Sequence, residues 1–481
     1  MTWSSGSAAP RRGHVALGAA LALAMLSLPM GALAEARFDA PAEFTGRFRV
    51  GPEMPGKPVH SGDGVRVQGM GLVPGQSVTL QKGLAVLNPG GPATVDDEGN
   101  LSLGFTLPED AETGLHKLVV IAENPSTATV IDVKVSPRIP LSGEDLFSRH
   151  GVKGAAGLYQ SAYSAASDAL FVAASSFRPR GSTLQKLDPE TLEVLAEITP
   201  PELPEDLRQS PPPGAPQPEG PEPVAVFGIA VDDRQGTVWA TNTFHNTVAV
   251  YRQGDLSLVR QFPPGEVYHS RDVVVDGERG RAYVSASATN GIHVFDTAAL
   301  EKRAVIEIDS AQRGGDFSVM SLALDPEGGR LFVVSRTSNE LAVIDLDSNE
   351  VARVLPVPGA KNASGVAYDA ETGRAFVASQ DSDNLVILDL DSGEVLHDVA
   401  VGAGALNVAF EPVERLAYVS NRGAGTVTVV SPEGEIVANL ANGSYPNHVH
   451  ADGRGNLYAV NKSLAEDDAA GDHVTLIRKA P

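Results

Sequence analysis

Seven times along this chain an aromatic residue stands among small or β-branched neighbours. The anchors are Phe171, Trp239, Tyr283, Phe332, Phe376, Tyr418 and Tyr458. After a first gap of 68 residues they follow at 44, 49, 44, 42 and 40. The stretch 365–401 shows what is repeated. Four short runs (366–368, 374–379, 385–390 and 395–401) carry β-type alternation or β-branched enrichment. The turns between them are rich in Asp, Asn and Gly. Asp and Asn bond back to their own backbone, and Gly supplies positive φ. A four-stranded meander of this kind cannot bury both faces alone and must stack on copies of itself. Four strands at a period of about 40–45 residues is the pattern of a β-propeller. The predicted fold class is therefore all-β, a seven-bladed β-propeller over 154–481.

Two of the repeats carry a more specific motif. Tyr418-Val419-Ser420-Asn421 with the following 426–430, and Trp239-Ala240-Thr241-Asn242 with the following 246–250, resemble the Tyr-Val-Thr-Asn (YVTN) repeat family of β-propellers. Arg336, Gln380 and Lys462 replace or displace the motif Asn elsewhere. The run 154–194 looks most like the periplasmic YncE-type members. The resemblance implies a fold and leaves function open, because propellers host many unrelated activities.

The chain has 481 residues, a formal net charge of −23 and no cysteine. Arg11-Arg12, the apolar run 15–28 and Ala32-Leu33-Ala34 read as a signal peptide over 1–34, with a small-x-small cleavage site. Its removal takes two arginines and no acids, leaving the mature chain more negative still. The absence of cysteine excludes disulfides, a lipid-modified N-terminal cysteine and covalent haem. The expectation is a periplasmic or secreted monomer that does not insert in the membrane after cleavage. Its acidity disfavours nucleic acid as a partner.

Residues 35–137 follow a different pattern, with short alternating runs at 65–69, 72–80, 101–107, 118–122 and 129–135 separated by Gly, Pro and Asp turns. That is the pattern of a small β-sandwich. The G-x-G-x-x-P-G-x-x-V-x-L run at 69–80 resembles bacterial immunoglobulin-like domains. Residues 138–153 are a linker, within which 146–152 are expected to supply the strand that the last repeat lacks. The segment 200–223 holds ten prolines in 24 residues and reads as an extended loop.

In a ring of such meanders the loops divide between two faces. One collects Asp and Glu turns. The other collects the second-to-third loops and the approaches to the innermost strands. Its candidate ligand-binding residues are Arg178, His245, His269, Arg271, Arg336, Asn407, Arg422, Asn447 and His448. Basic residues are expected to concentrate there, and loops of all repeats converge at a channel mouth. His448 and His450 point to the same side of a strand and are candidate metal ligands, with His269 or Asp272 as a third. No catalytic motif is present. The cofactor is unknown, a divalent metal being the one considered. The reading is a binding or scaffold propeller for a protein or small anionic ligand at the channel face. The alternative is a metal-assisted lactonase-like or lyase-like enzyme. A third reading is single-stranded nucleic acid or another polyanion, with Phe177, Phe244, Tyr268 and Tyr445 available for stacking.

Overall fold

The computed structural model describes residues 42–54, 56–177, 180–203 and 223–480. The expected signal segment, Arg178 and most of the proline-rich segment lie outside these residues.

Almost everything described is strand. The N-terminal unit packs two antiparallel sheets face to face. One orders Arg47–Pro52, Gly64–Met70 and Leu101–Thr106. The other is built on Ser77–Lys82, Gly114–Glu123 and Thr127–Val135, with the short Ala85–Val86 and Ala93–Thr94 at its edge. Alternate residues point inward, so Val65, Val67, Val78, Leu80, Leu118 and Val120 meet in one core. The strand Arg47–Pro52 has no counterpart among the sequence expectations. Its alternation is broken by Gly51 and Pro52, so the sequence pattern is weak there.

Seven four-stranded antiparallel sheets follow. Their first strands are Leu158–Ser164, Ile229–Asp232, Ser270–Asp276, Val319–Asp325, Ala363–Asp369, Ala405–Glu411 and Pro446–Ala451. Each touches the next in order, and the last touches the first, closing a ring. The seventh sheet takes strands from distant parts of the chain. Phe147–Lys153 pairs antiparallel with His473–Lys479, with Val474 opposite Val152.

Position within a sheet dictates side-chain pattern. Second strands are covered on both faces by neighbouring sheets, and Thr237–Asn242 is buried at every position. Fourth strands lie at the rim, and Val395–Ala400 alternates between half-buried and exposed. The anchors fill the spaces between sheets. Trp239 is fully buried against Phe262 and Phe295, at ring-centroid distances of 6.0 and 5.8 Å.

Near the ring axis the first strands crowd together. A Cβ on Gly365 would stand 2.7 Å from Asn407 Cα and 2.9 Å from Val408 N in the next sheet. Both are backbone atoms that cannot swing aside. Gly365→Ala is expected to destabilise the protein by about 1–3 kcal/mol in chemical denaturation. Gly254→Ala, where nothing lies within 4 Å, is the control and should change little. Equal stability of the two variants would refute the close approach.

Candidate functional site

The innermost strands present one unpaired edge to the ring axis, and its backbone N–H groups need acceptors. Most of these strands carry a register shift near their start, at Leu158/Gln160, Ser270/Val273, Ala405/Asn407 and Pro446/His448. The side chain at this irregularity reaches across to the next sheet. Gln160 Oε1 accepts from Ile229 N at 3.0 Å, and Asp272 Oδ2 from Leu322 N at 3.0 Å. Asn407 Oδ1 accepts from Val449 N at 2.9 Å, and His448 Nδ1 from Ser161 N at 3.4 Å. These four residues form a collar that ties sheet to sheet. The channel they surround has a volume of about 370 Å³.

The two candidate metal ligands belong to this channel. The His448 and His450 rings lie nearly parallel, 6.5 Å apart between centroids. His450 Nε2 accepts from Tyr163 N at 3.0 Å. An accepting ring nitrogen is unprotonated, so in each neutral ring the proton sits on the other nitrogen. Burial pushes His450 down to about 4. It pushes His448 well below its ordinary value, helped by the charges of His450 and Arg271. Burial likewise raises the Asp272 carboxyl. Both Asp272 oxygens already accept hydrogen bonds, from Leu322 N, Val273 N and Gln160 Nε2. Among the described residues no group of three or more His, Asp or Glu is arranged to hold a metal ion.

The loop face above the channel carries the remaining candidates in two groups. In one, Arg422 Nη1 donates to Asn447 Oδ1 at 2.5 Å, and its guanidinium lies 4.7 Å from the centre of the Tyr445 ring. Asn447 Nδ2 donates to Tyr159 O at 2.7 Å. Lys462 Nζ stands 4.5 Å from the Tyr159 ring centre. Burial, then the charge of Arg422, brings the Lys462 ammonium down to about 8. Burial also lowers Arg422. Aromatic contacts continue outward from Tyr159 to Phe227 at 5.0 Å and on to Phe244 at 4.8 Å. His245 ends this row. Burial lowers its imidazole, and its Nδ1 has no hydrogen-bond partner among the described residues.

The second group is His269, Arg271 and Arg336. His269 sits in a left-handed backbone conformation, φ 46°, with its N–H donated to Asn246 Oδ1 at 2.7 Å. Partial desolvation, then the charges of Arg271 and Arg336, hold its imidazole below the ordinary value. Arg271 Nη1 donates to Ser321 Oγ at 2.8 Å. The structure thus brings Arg422 with Asn447, and His269 with Arg271 and Arg336. Asn407 and His448 work as inter-sheet ties.

The expectation that basic residues concentrate on this face needs correction. The opposite face carries arginines as well. There Arg279 pairs with Asp276 and Asp347, Arg330 with Asp325, and Arg415 with Asp369 and Glu371, at 2.5–2.9 Å. Arg234 and Arg281 on that face bond backbone carbonyls instead. Among the described residues no carboxylate stands at ion-pair distance from Arg271, Arg336, Arg422 or Lys462.

Sequence reasoning also missed that the N-terminal unit sits on this loop face. Lys134 Nζ bonds Asp383 Oδ1 and Gln380 O, each at 2.6 Å. Asp383 is 2% exposed and also accepts from Gly404 N at 2.6 Å. Beside this contact lies a cavity of about 470 Å³, walled by Arg49, Lys57 and Pro58 on one side and by Asp381, Arg422 and Tyr445 on the other. No signal within either segment reports this contact, which joins residues 249 positions apart.

No family model matches the chain. It is similar to YncE. The uncharacterized protein YncE of Salmonella typhimurium strain LT2 is 26% identical over 357 residues, covering 71% of this chain and 92% of the relative. The Salmonella typhi protein of the same name matches to the same extent. Among solved structures, Kuenenia stuttgartiensis hydrazine synthase aligns with a TM-score of 0.54 at 18% identity, covering 68% of this chain and 97% of the other. U3-55K aligns with a TM-score of 0.54 at 12% identity, covering 69% and 98%. The structural likenesses speak to fold alone. Together with the ring of sheets, the match to YncE and these likenesses support a YncE-type β-propeller.

Proposed function

We propose that this chain is an exported, periplasmic or secreted, seven-bladed propeller with an immunoglobulin-like N-terminal sandwich. It binds a protein or small anionic ligand on the loop face around the channel mouth, without catalysing a reaction. The observation that carries this reading is the set Arg271, Arg336, Arg422 and Lys462, which among the described residues have no carboxylate at ion-pair distance. Arg422 and Lys462 are desolvated by burial, and an anionic partner relieves the penalty of a buried cation without an ion pair.

Native mass spectrometry of the mature protein, purified from its own compartment without chelator, tests the reading. The expected result is a stoichiometric organic or protein adduct. That adduct should disappear when all four cations are replaced by Gln. A retained divalent metal that is lost with His448→Gln and His450→Gln would instead favour the metal-assisted enzyme. A bare mass from both proteins counts against a retained ligand.

One observation favours a second reading. Phe244 and Tyr268 are 45% and 58% exposed beside His245 and His269, as stacking platforms for single-stranded nucleic acid would be. The net charge of −23 opposes it. Binding of an oligonucleotide that weakens steeply with salt would support it.

A further inference from the structure

We propose that the cavity between the N-terminal unit and the loop face is a binding site for a small organic anion, with a carboxylate, sulfonate or phosphate head and an apolar body. This rests on the reading of the loop face as a binding surface and assigns the site to the seam between the two units.

Size comes first. About 470 Å³ lies within the roughly 300–1,000 Å³ of ordinary small-molecule sites. Charge comes second. Arg49 and Lys57 from the N-terminal unit and Arg422 from the propeller line the cavity, and none has an ion-pair partner among the described residues. Lys134, also in the wall, is engaged by Asp383. Among the described residues Asp381 is the one acidic residue lining the space. The walls therefore carry more positive than negative charge at the place where the two units meet.

Arg422 is the anchor. Its guanidinium has five N–H donors, and one bond to Asn447 Oδ1 leaves a donor fork uncommitted. Such a fork matches the paired oxygens of a carboxylate or phosphate. The Tyr445 ring beneath holds the guanidinium in place. Arg49 and Lys57 are exposed and supply charge from the other side. The remaining lining includes Val50, Pro52, Pro58 and Val59, which suit an apolar body. Lys134 and Asp383 fix the two units against each other, so the cavity exists before a ligand arrives. Preorganisation of this kind removes part of the entropic penalty of binding.

The test uses the full mature chain and two fluorescent probes of the same shape. One is 8-anilinonaphthalene-1-sulfonate, which is anionic. The other is N-phenyl-1-naphthylamine, which lacks the sulfonate. The sulfonate probe is expected to bind once per chain, and the uncharged analogue about tenfold more weakly or worse. Arg422→Gln should weaken the anionic probe by about tenfold or more. Arg49→Gln with Lys57→Gln, both exposed and away from either core, should weaken it severalfold while leaving the melt unchanged. Arg271→Gln with Arg336→Gln probes the channel mouth instead, since neither residue lines this cavity.

If the Arg271/Arg336 pair weakens the probe while the Arg49/Lys57 pair does not, the anion sits at the channel mouth. The seam proposal then falls and the loop-face reading stands. If none of these variants changes binding, both fall. Equal affinity for the two probes, or no saturable binding of the anionic one, overturns the seam site as well.

Discussion

A chain ended at Asp472 is expected to lose the cooperative melt of the full protein. The deletion removes His473–Lys479, the strand that joins Asn456–Asn461 to Phe147–Lys153 in the seventh sheet. Its loss leaves Phe147–Lys153 without a partner and uncovers one edge of Asn456–Asn461. It also removes Ile477, 1% exposed, from the core it shares with Phe147, Tyr418 and Leu457. The contact is specific in geometry, the Phe147 and Tyr418 rings meeting edge-on at 6.2 Å. Because the first strands contact one another around a closed ring, an incomplete last sheet exposes a face of its neighbours on both sides. The single substitution Ile477→Ala gives the graded version, about 2–5 kcal/mol from lost burial and the cavity left behind. Calorimetry and circular dichroism on both variants would decide it. A truncated chain that melts like the full protein would show that the closing strands are dispensable.

Acid should weaken the protein through its buried imidazoles, and His450 gives the clearest case. In the unfolded chain its pKa is about 6.5, and in the folded protein burial holds it at about 4. Between these values the unfolded state binds more protons than the folded one, so stability rises with pH. The stability of the neutral ring is therefore fully present above about 6.5 and is lost as pH falls toward 4. A displacement of that size corresponds to about 3 kcal/mol for the one group. His293, also held at about 4 by burial, adds in the same direction. His450→Gln isolates the contribution, because a Gln side-chain oxygen can still accept from Tyr163 N. The variant should match the wild type's denaturation midpoint less well at pH 7 than at pH 4.5, where the wild type has lost its advantage. Parallel pH profiles of the two proteins would rule out His450 as a source of the dependence.

Much of the architecture is legible without coordinates. Each repeat states its strands through alternation and β-branched enrichment, and its turns through Asp, Asn and Gly, all within some forty residues. The all-β class and the four-stranded sheets follow from that local grammar, and the aromatic anchors mark the strands covered on both faces. The site is less legible. Asn407, Asn447 and His448 stand where the sequence places them, near the axis. Their side chains, however, are engaged with Val449 N, Tyr159 O and Ser161 N in neighbouring strands. Residue type and position could not separate such ties from binding groups, because both need a polar side chain at the end of an innermost strand. Gln160 performs the same tie and carries no mark in the sequence.

Charge shows the same division. The sequence by itself determined how many arginines and carboxylates the chain carries and which turns they occupy. Only the tertiary structure decided which of them meet. Arg415 finds Asp369, while Arg422, seven residues later, finds a Tyr ring and an Asn oxygen. In the same way the sequence separates an N-terminal β unit from the repeats, and only the folded chain seats Lys134 on Asp383 and opens a cavity beside it. The physical reason is range. Strand periodicity and turn chemistry act between near neighbours in the chain and leave a readable pattern. Ion pairing and the fit of two surfaces depend on groups within a few ångströms in space, which chain closure can bring from hundreds of residues away.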